Sequence, residues 1–214
     1  SVTINAMLDR LSSAVTHQKR LTDDVSHELR TPLTIMRGNL ELLDPSDPEL
    51  VATTRSTLLG VVDRMQRLVD DLLTLAQADR PDFLHRRPSD AAQLTDEIAE
   101  LARGLGDRRW RLDHLADATV DVDPDRLSQA LLQLAQNAVK YSQPGATVTL
   151  GSRVADGTVQ FYVSDTGVGI PADDLPTIRE RFGRAEGARR AGVEWSGLGL
   201  AIVDTIAKAH GGRL

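Results

Sequence analysis

One run of apolar positions restricts the folding of this chain more than any other feature. Val51, Thr54, Leu58, Val61, Met65, Leu68, Leu72 and Leu75 follow spacings of three and four without a break. That is a heptad seam, and it predicts one long helix over residues 49–79. Val62, Val69 and Leu73 widen the stripe beyond what a two-helix seam needs. A second long helix is expected over residues 1–43, where Ile4, Leu8, Leu11 and Val15 open an apolar series that runs to Leu43. Pro32 interrupts it and is expected to kink it, because proline has no N–H for the helical ladder. Asp44-Pro45-Ser46-Asp47-Pro48 reads as the turn between the two helices. Two such helices make an antiparallel hairpin. A single hairpin cannot bury so wide a stripe, so two should pair into a dimeric four-helix bundle.

The pattern changes at Arg80-Pro81 and again at Arg87-Pro88, which places a linker over 81–88. Shorter, mixed elements follow. Residues 90–103 read as helix, and 109–113 and 119–122 as strands. Residues 124–141 read as helix, with Asp123 as N-cap and Pro124 at the first helical position. Residues 146–154 and 158–164 read as a hairpin around Asp156-Gly157. Glycine-rich text runs from Gly167 to Gly199, and a last helix covers 198–209. Helices on one face of a small mixed sheet give an α+β sandwich.

Charge and cysteine usage remove several functions. The net charge is −6, so nothing favours a nucleic-acid partner. There is no cysteine, which excludes disulfides and thiolate metal sites. No apolar run is long enough to span a membrane. The chain enters its first helix without a leader or N-cap, so a membrane span is expected upstream of Ser1.

Four constellations carry chemistry. In Ser26-His27-Glu28-Leu29-Arg30-Thr31-Pro32-Leu33, His27 lies about 200° around the helix from both Val25 and Leu29 and faces outward. Glu28 beside it can take a ring proton and raise the nucleophilicity of the other nitrogen. Thr31, one turn on, can hold a water near the ring. A lone histidine is usually just a solvated side chain, and His17, His85, His114 and His210 are read that way. In the helix through Tyr141, Gln133 and Asn137 share a face, and an amide oxygen suits Mg²⁺. Lys140 can neutralise phosphate, and Tyr141 can stack on a base. In Asp165-Thr166-Gly167-Val168-Gly169-Ile170, two glycines allow close backbone approach and an acid ends a strand. Gly197-Leu198-Gly199-Leu200 opens a helix, whose N-terminal amides favour phosphate. Taken singly, the last three are more often structural. A dinucleotide site fails on context, since no G-x-G-x-x-G follows a strand, and no Walker lysine motif is present.

Their order makes them specific. His27 on a dimerising hairpin is followed by Asn137, then Asp165 28 residues on, then Gly197 32 residues further. Over nearly its whole length the chain resembles the sensor histidine kinases of the gyrase–heat-shock chaperone–histidine kinase–MutL ATPase superfamily. Residues 19–33 resemble the family's phosphoacceptor box, 133–141 its Asn box, 165–170 and 197–203 its first two glycine boxes. Arg181-Phe182-Gly183-Arg184 resembles its Phe box, and residues 1–18 the end of a HAMP signalling helix.

The resemblance implies ATP-dependent autophosphorylation of His27, transfer to an aspartate of a response regulator, and phosphatase activity toward that regulator. It implies Glu28 as the base and Thr31 as the residue that places water for dephosphorylation. Asn137 would ligate Mg²⁺, Lys140 would contact phosphate and Tyr141 would cover the adenine. Asp165 would accept the adenine amine, in a pocket shaped by Gly167 and Gly169. Gly197, Leu198, Gly199 and Leu200 would hold phosphates, and Arg184 would reach the γ-phosphate. The loop with Arg184, Arg189 and Arg190 would be a lid over ATP. The implied organisation is a signalling-helix end at 1–18, a dimerisation and phosphotransfer domain at 19–80, a linker at 81–88 and an ATP-binding domain at 89–214. The chain would be the cytoplasmic portion of a bacterial inner-membrane protein, dimeric through residues 19–80.

Three departures stand out. Gln133 occupies a position where the family often has a second Asn. Gly183 replaces an aromatic residue in the Phe box. The text also stops at Leu214, where the family continues with two strands and a third glycine box. A chain lacking those strands is expected to bind ATP weakly or to fold poorly, with a sheet edge left open. A melting curve with added Mg-ATP checks this: only a small rise is expected, and a large one would refute it.

Overall fold

The computed structural model describes residues 25, 26, 28–78, 80–178 and 197–214. The chain divides into two units, Ser1–Asp70 and Asp71–Leu214.

In the first unit, helix α1 covers residues 28–41 and continues through Pro32, which is buried. Helix α2 spans Pro48–Gln77 and passes into the second unit. The turn between them is built from two aspartates. Asp44 Oδ1 accepts from the Ser46 amide at 2.9 Å and its hydroxyl at 2.7 Å. Those bonds hold the Asp44 carboxyl below its usual pKa. Asp47 then caps α2, accepting from the amides of Glu49 and Leu50 at 3.0 and 3.1 Å, with Pro48 at the first helical position. Along α2, seam positions Thr54, Leu68 and Leu75 are buried, and Leu58, Val61, Met65 and Leu72 are partly covered. The widening positions Val62, Val69 and Leu73 remain 47%, 45% and 51% exposed. The single chain therefore covers most of the heptad seam and leaves its first position, Val51, and the flanking stripe open.

The second unit is an α+β arrangement. Strands β2 (Arg109–Leu112), β4 (Thr147–Ala155) and β5 (Thr158–Asp165) form a sheet in the order β2-β4-β5. β2 runs parallel to β4, and β4 antiparallel to β5, with Gly151 opposite Tyr162. Helices α3 (Ala91–Ala102) and α4 (Pro124–Lys140) pack onto it. Their core is Leu94, Ile98, Ala99, Ala102, Leu131 and Ala135 against Leu150 of β4. Helix α6 (Gly199–Ala209) packs on α4 and buries Ala201, Ile202, Val203 and Ile206. A short helix α5 (Leu175–Ile178) follows β5. Where polar groups enter this core they are paired. Thr95 Oγ1 lies 2.6 Å from the Ala91 carbonyl and 2.8 Å from Ser152 Oγ, which also accepts the Ala116 amide at 3.0 Å. Among the described residues no buried side-chain nitrogen or oxygen lacks a partner.

The text around Pro88, expected as linker, is a strand. β1 (Arg87–Asp90) pairs antiparallel with β3 (Thr119–Val122), with Pro88 opposite Asp121. Proline argues against a central strand, and this two-stranded ribbon has no central strand, so its missing N–H is tolerated. The preceding residues are also fixed to the second unit. Phe83 is buried, with the Arg126 guanidinium 4.5 Å from its ring centroid. The Arg86 guanidinium donates to the Ala209 carbonyl at the end of α6.

Asp123 is the centre of this region. It is 4% exposed and caps α4, its Oδ1 accepting from the amides of Asp125 and Arg126 at 3.0 and 3.1 Å. Its Oδ2 accepts the His85 amide at 2.8 Å. Its own amide donates to His210 Nε2 at 3.0 Å, while His210 Nδ1 lies 2.8 Å from the Ile206 carbonyl. In this arrangement Nε2 is the accepting nitrogen and Nδ1 the one that faces a carbonyl. His85 and His210, read from sequence as ordinary, hold the start of the second unit to α4 and α6.

Burial pushes the Asp123 carboxyl up. The three amide donors and the Arg126 charge outweigh it and hold the group below its usual value. A depressed folded pKa contributes stability that is complete above about pH 4, the ordinary carboxylate range, and is lost as pH falls through the folded value. Asp123→Asn is expected to cost about 1–2 kcal/mol. In urea titrations the gap to the parent should be constant from about pH 5 to 7 and should shrink below about pH 4.

Candidate functional site

The C-terminal half of α4 supplies three of the sequence-predicted or weighed positions, and its amphipathic packing aims them. Ala130, Leu131, Ala135 and Ala138 are buried, so the opposite flank of the helix carries Gln133, Asn137 and Lys140. Gln133 and Asn137 lie one turn apart and both face Gly199, the first residue of α6. A methyl group placed on Gly199 would come 3.1 Å from Gln133 Oε1, 3.6 Å from Asn137 Nδ2 and 3.9 Å from Asn137 Oδ1. Glycine there lets the two amides reach the opening of α6. Gly197, just before, has φ +68°, a conformation that favours glycine. Leu198 is fully buried and anchors the turn, and as N-cap residue of α6 it offers no side-chain cap to the first amides. Such a helix start is suited to an anion.

The other side of the site is made where α4 ends. Tyr141 is the C-cap, its amide bonded to the Asn137 carbonyl at 3.0 Å. Lys140 Nζ stands 4.5 Å from the Tyr141 ring centroid. The Tyr141 carbonyl accepts the Val168 amide at 3.2 Å, so the loop after β5 is bonded to the end of α4. Gly167 lies against the same carbonyl: a Cβ there would come 2.3 Å from the Tyr141 oxygen. Asp165 Oδ1 accepts the Gly167 amide at 2.7 Å and shapes the turn. Thr166 ties the loop to β4, its amide bonded to the Thr147 carbonyl and its hydroxyl accepting the Thr147 amide, both at 3.2 Å. Gly169 has φ +69°.

The structure thus sets Asn137 beside Gly199, and Tyr141 beside Gly167 and Asp165, from three separate stretches of sequence; Lys140 stands over Tyr141, Gly169 follows Gly167 in its loop, and Gly197, Leu198 and Leu200 adjoin Gly199 in sequence. In the first unit, Glu28 is half-buried and Thr31 exposed, and the positions flanking the expected phosphoacceptor, Val25 and Leu29, are half-buried. His27, Arg184, the rest of the Phe box, Arg189 and Arg190 lie outside the described residues. Sequence reasoning missed Asp71 and Thr74, at the end of α2. Asp71 Oδ1 accepts from Gln133 Nε2, and Thr74 Oγ1 from Gln129 Nε2, both at 3.1 Å. Nothing in the heptad pattern marks either position, because both lie off the seam.

The close approach at Gly167 yields a direct test. Gly167→Ala forces the loop away from α4 or α4 from the loop. A loss of about 1–3 kcal/mol is expected in urea unfolding, the scale of an overpacked contact. Amide exchange should rise at Val168, whose bond to Tyr141 is broken by the shift.

Two family models match the chain. His Kinase A (phospho-acceptor) domain covers residues 17–81. Histidine kinase-, DNA gyrase B-, and HSP90-like ATPase covers residues 122–214. The chain is 36% identical over 222 residues to the probable sensor histidine kinase TcrY of Mycobacterium tuberculosis, covering 99% of this chain and 47% of that protein. It is 38% identical over 226 residues to the histidine-protein kinase/phosphatase MprB of Mycolicibacterium paratuberculosis, covering 98% of this chain and 41% of that protein. The chain thus spans less than half the length of these curated relatives. Among solved structures, the histidine kinase AdeS of Acinetobacter baumannii matches at 28% identity and a TM-score of 0.65, covering 86% of each chain. A mycobacterial sensor histidine kinase MprB matches at 30% identity and a TM-score of 0.51, covering 59% of this chain and 81% of that one. A hairpin domain of phosphoacceptor type followed by an ATPase domain, in this order and over nearly the whole chain, makes this protein a member of the sensor histidine kinase family.

Proposed function

We propose that this chain is the kinase core of a two-component sensor, which moves the γ-phosphoryl group of ATP to His27 and then to an aspartate of a response regulator. The observation that carries the reading is the meeting of the Asn137 amide with Gly199 at the opening of α6. It supports a cation ligand at Asn137 next to a phosphate cradle at the start of α6. The donor set is consistent with a nucleotide: an amide oxygen at Asn137, an ammonium at Lys140, a ring at Tyr141 and a carboxylate at Asp165, around two glycines that pack directly against α4 and its cap.

In this reading Asn137 Oδ1 would hold Mg²⁺, which would supply positive charge to the phosphates. Lys140 neutralises phosphate charge, and Tyr141 covers the base. Asp165 already uses Oδ1 on Gly167, so Oδ2 is the oxygen that accepts the adenine amine. Gly167 and Gly169 shape the adenine side, and Gly197 to Leu200 the phosphate side. Arg184 reaches the γ-phosphate. A bond forms between phosphorus and an imidazole nitrogen of His27 while the β–γ bridging bond breaks, ADP leaves and Glu28 takes the ring proton. Positioning and charge neutralisation carry the catalysis. Thr31 places the water for the phosphatase direction, a reading supported by the kinase/phosphatase name of the MprB relative.

The working organisation is a signalling-helix end at 1–18, a dimerising and phosphotransfer domain at 19–80 and a nucleotide domain at 89–214, with the connecting residues 81–88 packed on α4 and α6 through Phe83 and Arg86. The open stripe of Val62, Val69 and Leu73 supports pairing of two hairpins. Among the described residues no helix is long and apolar enough to cross a membrane. In this reading the core works at the cytoplasmic side of a bacterial inner membrane.

His27→Gln is expected to abolish acid-labile labelling from γ-labelled ATP while leaving ATP affinity within about twofold, since the imidazole is the acceptor rather than a binding group. Label retained on another residue would overturn the assignment.

A further inference from the structure

We propose that Asp71, near the end of α2, is a positioning residue for the nucleotide site: its carboxylate takes the NH₂ group of Gln133 and thereby holds the amide oxygen toward Gly199. The proposal rests on the reading that Mg-ATP is held between α4 and the opening of α6.

The argument begins with the amide. A glutamine side chain carries a donor end and an acceptor end, and the two exchange by a half-turn about one bond. An ionised carboxylate only accepts. Asp71 Oδ1 is 3.1 Å from the Gln133 amide nitrogen, so the end facing Asp71 is the donor. The oxygen therefore faces the other way. It lies 3.1 Å from where a Cβ on Gly199 would be, next to the Asn137 amide. Without the carboxylate both orientations become available, and one of them turns two N–H donors toward the place where a cation is to be bound. A bond to a charged acceptor is among the stronger hydrogen bonds, which makes the choice of orientation firm. Gln129 to Thr74, one turn earlier on α4 and three residues further on α2, holds the same pair of helices together at 3.1 Å. The clasp therefore has a second tie that does not depend on Asp71.

This assigns a purpose to Gln133 at a position where an asparagine, one methylene shorter, is the commoner residue of the resembled family. The longer side chain reaches both Asp71 and Gly199.

The test measures binding of ATP to the full chain with Mg²⁺ and in EDTA, alongside melting temperature without nucleotide. Asp71→Leu should weaken Mg-ATP binding about fivefold, the scale of one net hydrogen bond, and change Mg-free ATP binding less than about twofold. Asp71→Asn can donate as well as accept, so it selects no single amide orientation and should weaken Mg-ATP binding, though by less than Asp71→Leu. Asp71→Leu added to Gln133→Leu should cost nothing further in Mg-ATP binding, because the proposed effect of Asp71 on the cation side passes through the Gln133 amide. If the leucine variant melts well below the parent, Asp71→Ser carries the same comparison. The proposal is overturned if the leucine and serine variants bind Mg-ATP as tightly as the parent or tighter. Equal weakening with and without Mg²⁺, or additive losses in the double variant, also overturns it. Asn137→Ala serves as control. If it too binds as the parent does, the reading of the site itself fails. If it alone loses Mg-ATP, only the Asp71 proposal fails.

Discussion

The placement of helix α4 depends on a single buried carboxylate. Asp123 satisfies the first amides of that helix, the amide of His85 and, through its own backbone N–H, the ring of His210. These bonds come from α4, from the segment entering the second unit and from the end of α6. A buried carboxylate is costly unless its oxygens are matched, and here both oxygens are occupied. The arrangement sets where α4 starts relative to α6. Because a helix is stiff, it also sets where Gln133, Asn137, Lys140 and Tyr141 arrive, between ten and eighteen residues later.

At its far end α4 meets two glycines, and those contacts turn a helix into a site. Gly199 admits two amide side chains to the start of α6. Gly167 lets the loop after β5 rest against the last carbonyl of the helix. Neither contact is strong in itself. Each is a demand for absent volume, and close-packed interiors enforce such demands sharply. The candidate phosphate cradle and the candidate adenine pocket thus share one rigid element as common wall. The same element reaches the end of α2 through Gln133 and Gln129.

Periodicity made much of the architecture legible before any coordinates. The heptads of α2, the Asp123-Pro124 start of α4 and the alternating text of β4 and β5 are local signals, and each element lies within a residue or two of its expected bounds. The strand at Arg87–Asp90 was not legible, because Pro88 reads as a breaker unless its partner strand is known. The roles of His85 and His210 were not legible either. One bonds to Asp123 through its backbone and the other through its ring, from positions 38 and 87 residues away. Distances of that kind leave no trace in spacing.

The sequence by itself determined the element types and the residues able to do phosphoryl chemistry. Turn chemistry, caps and hydrophobic period act over a few residues and are written where they act. Tertiary structure alone decided which of those residues share a site. It put Asn137 beside Gly199 and Tyr141 beside Gly167, and it gave the Gln133 amide a direction by setting Asp71 against it. Orientation of a side-chain amide depends on what stands at each of its ends, and for Gln133 both neighbours come from parts of the chain about sixty residues distant.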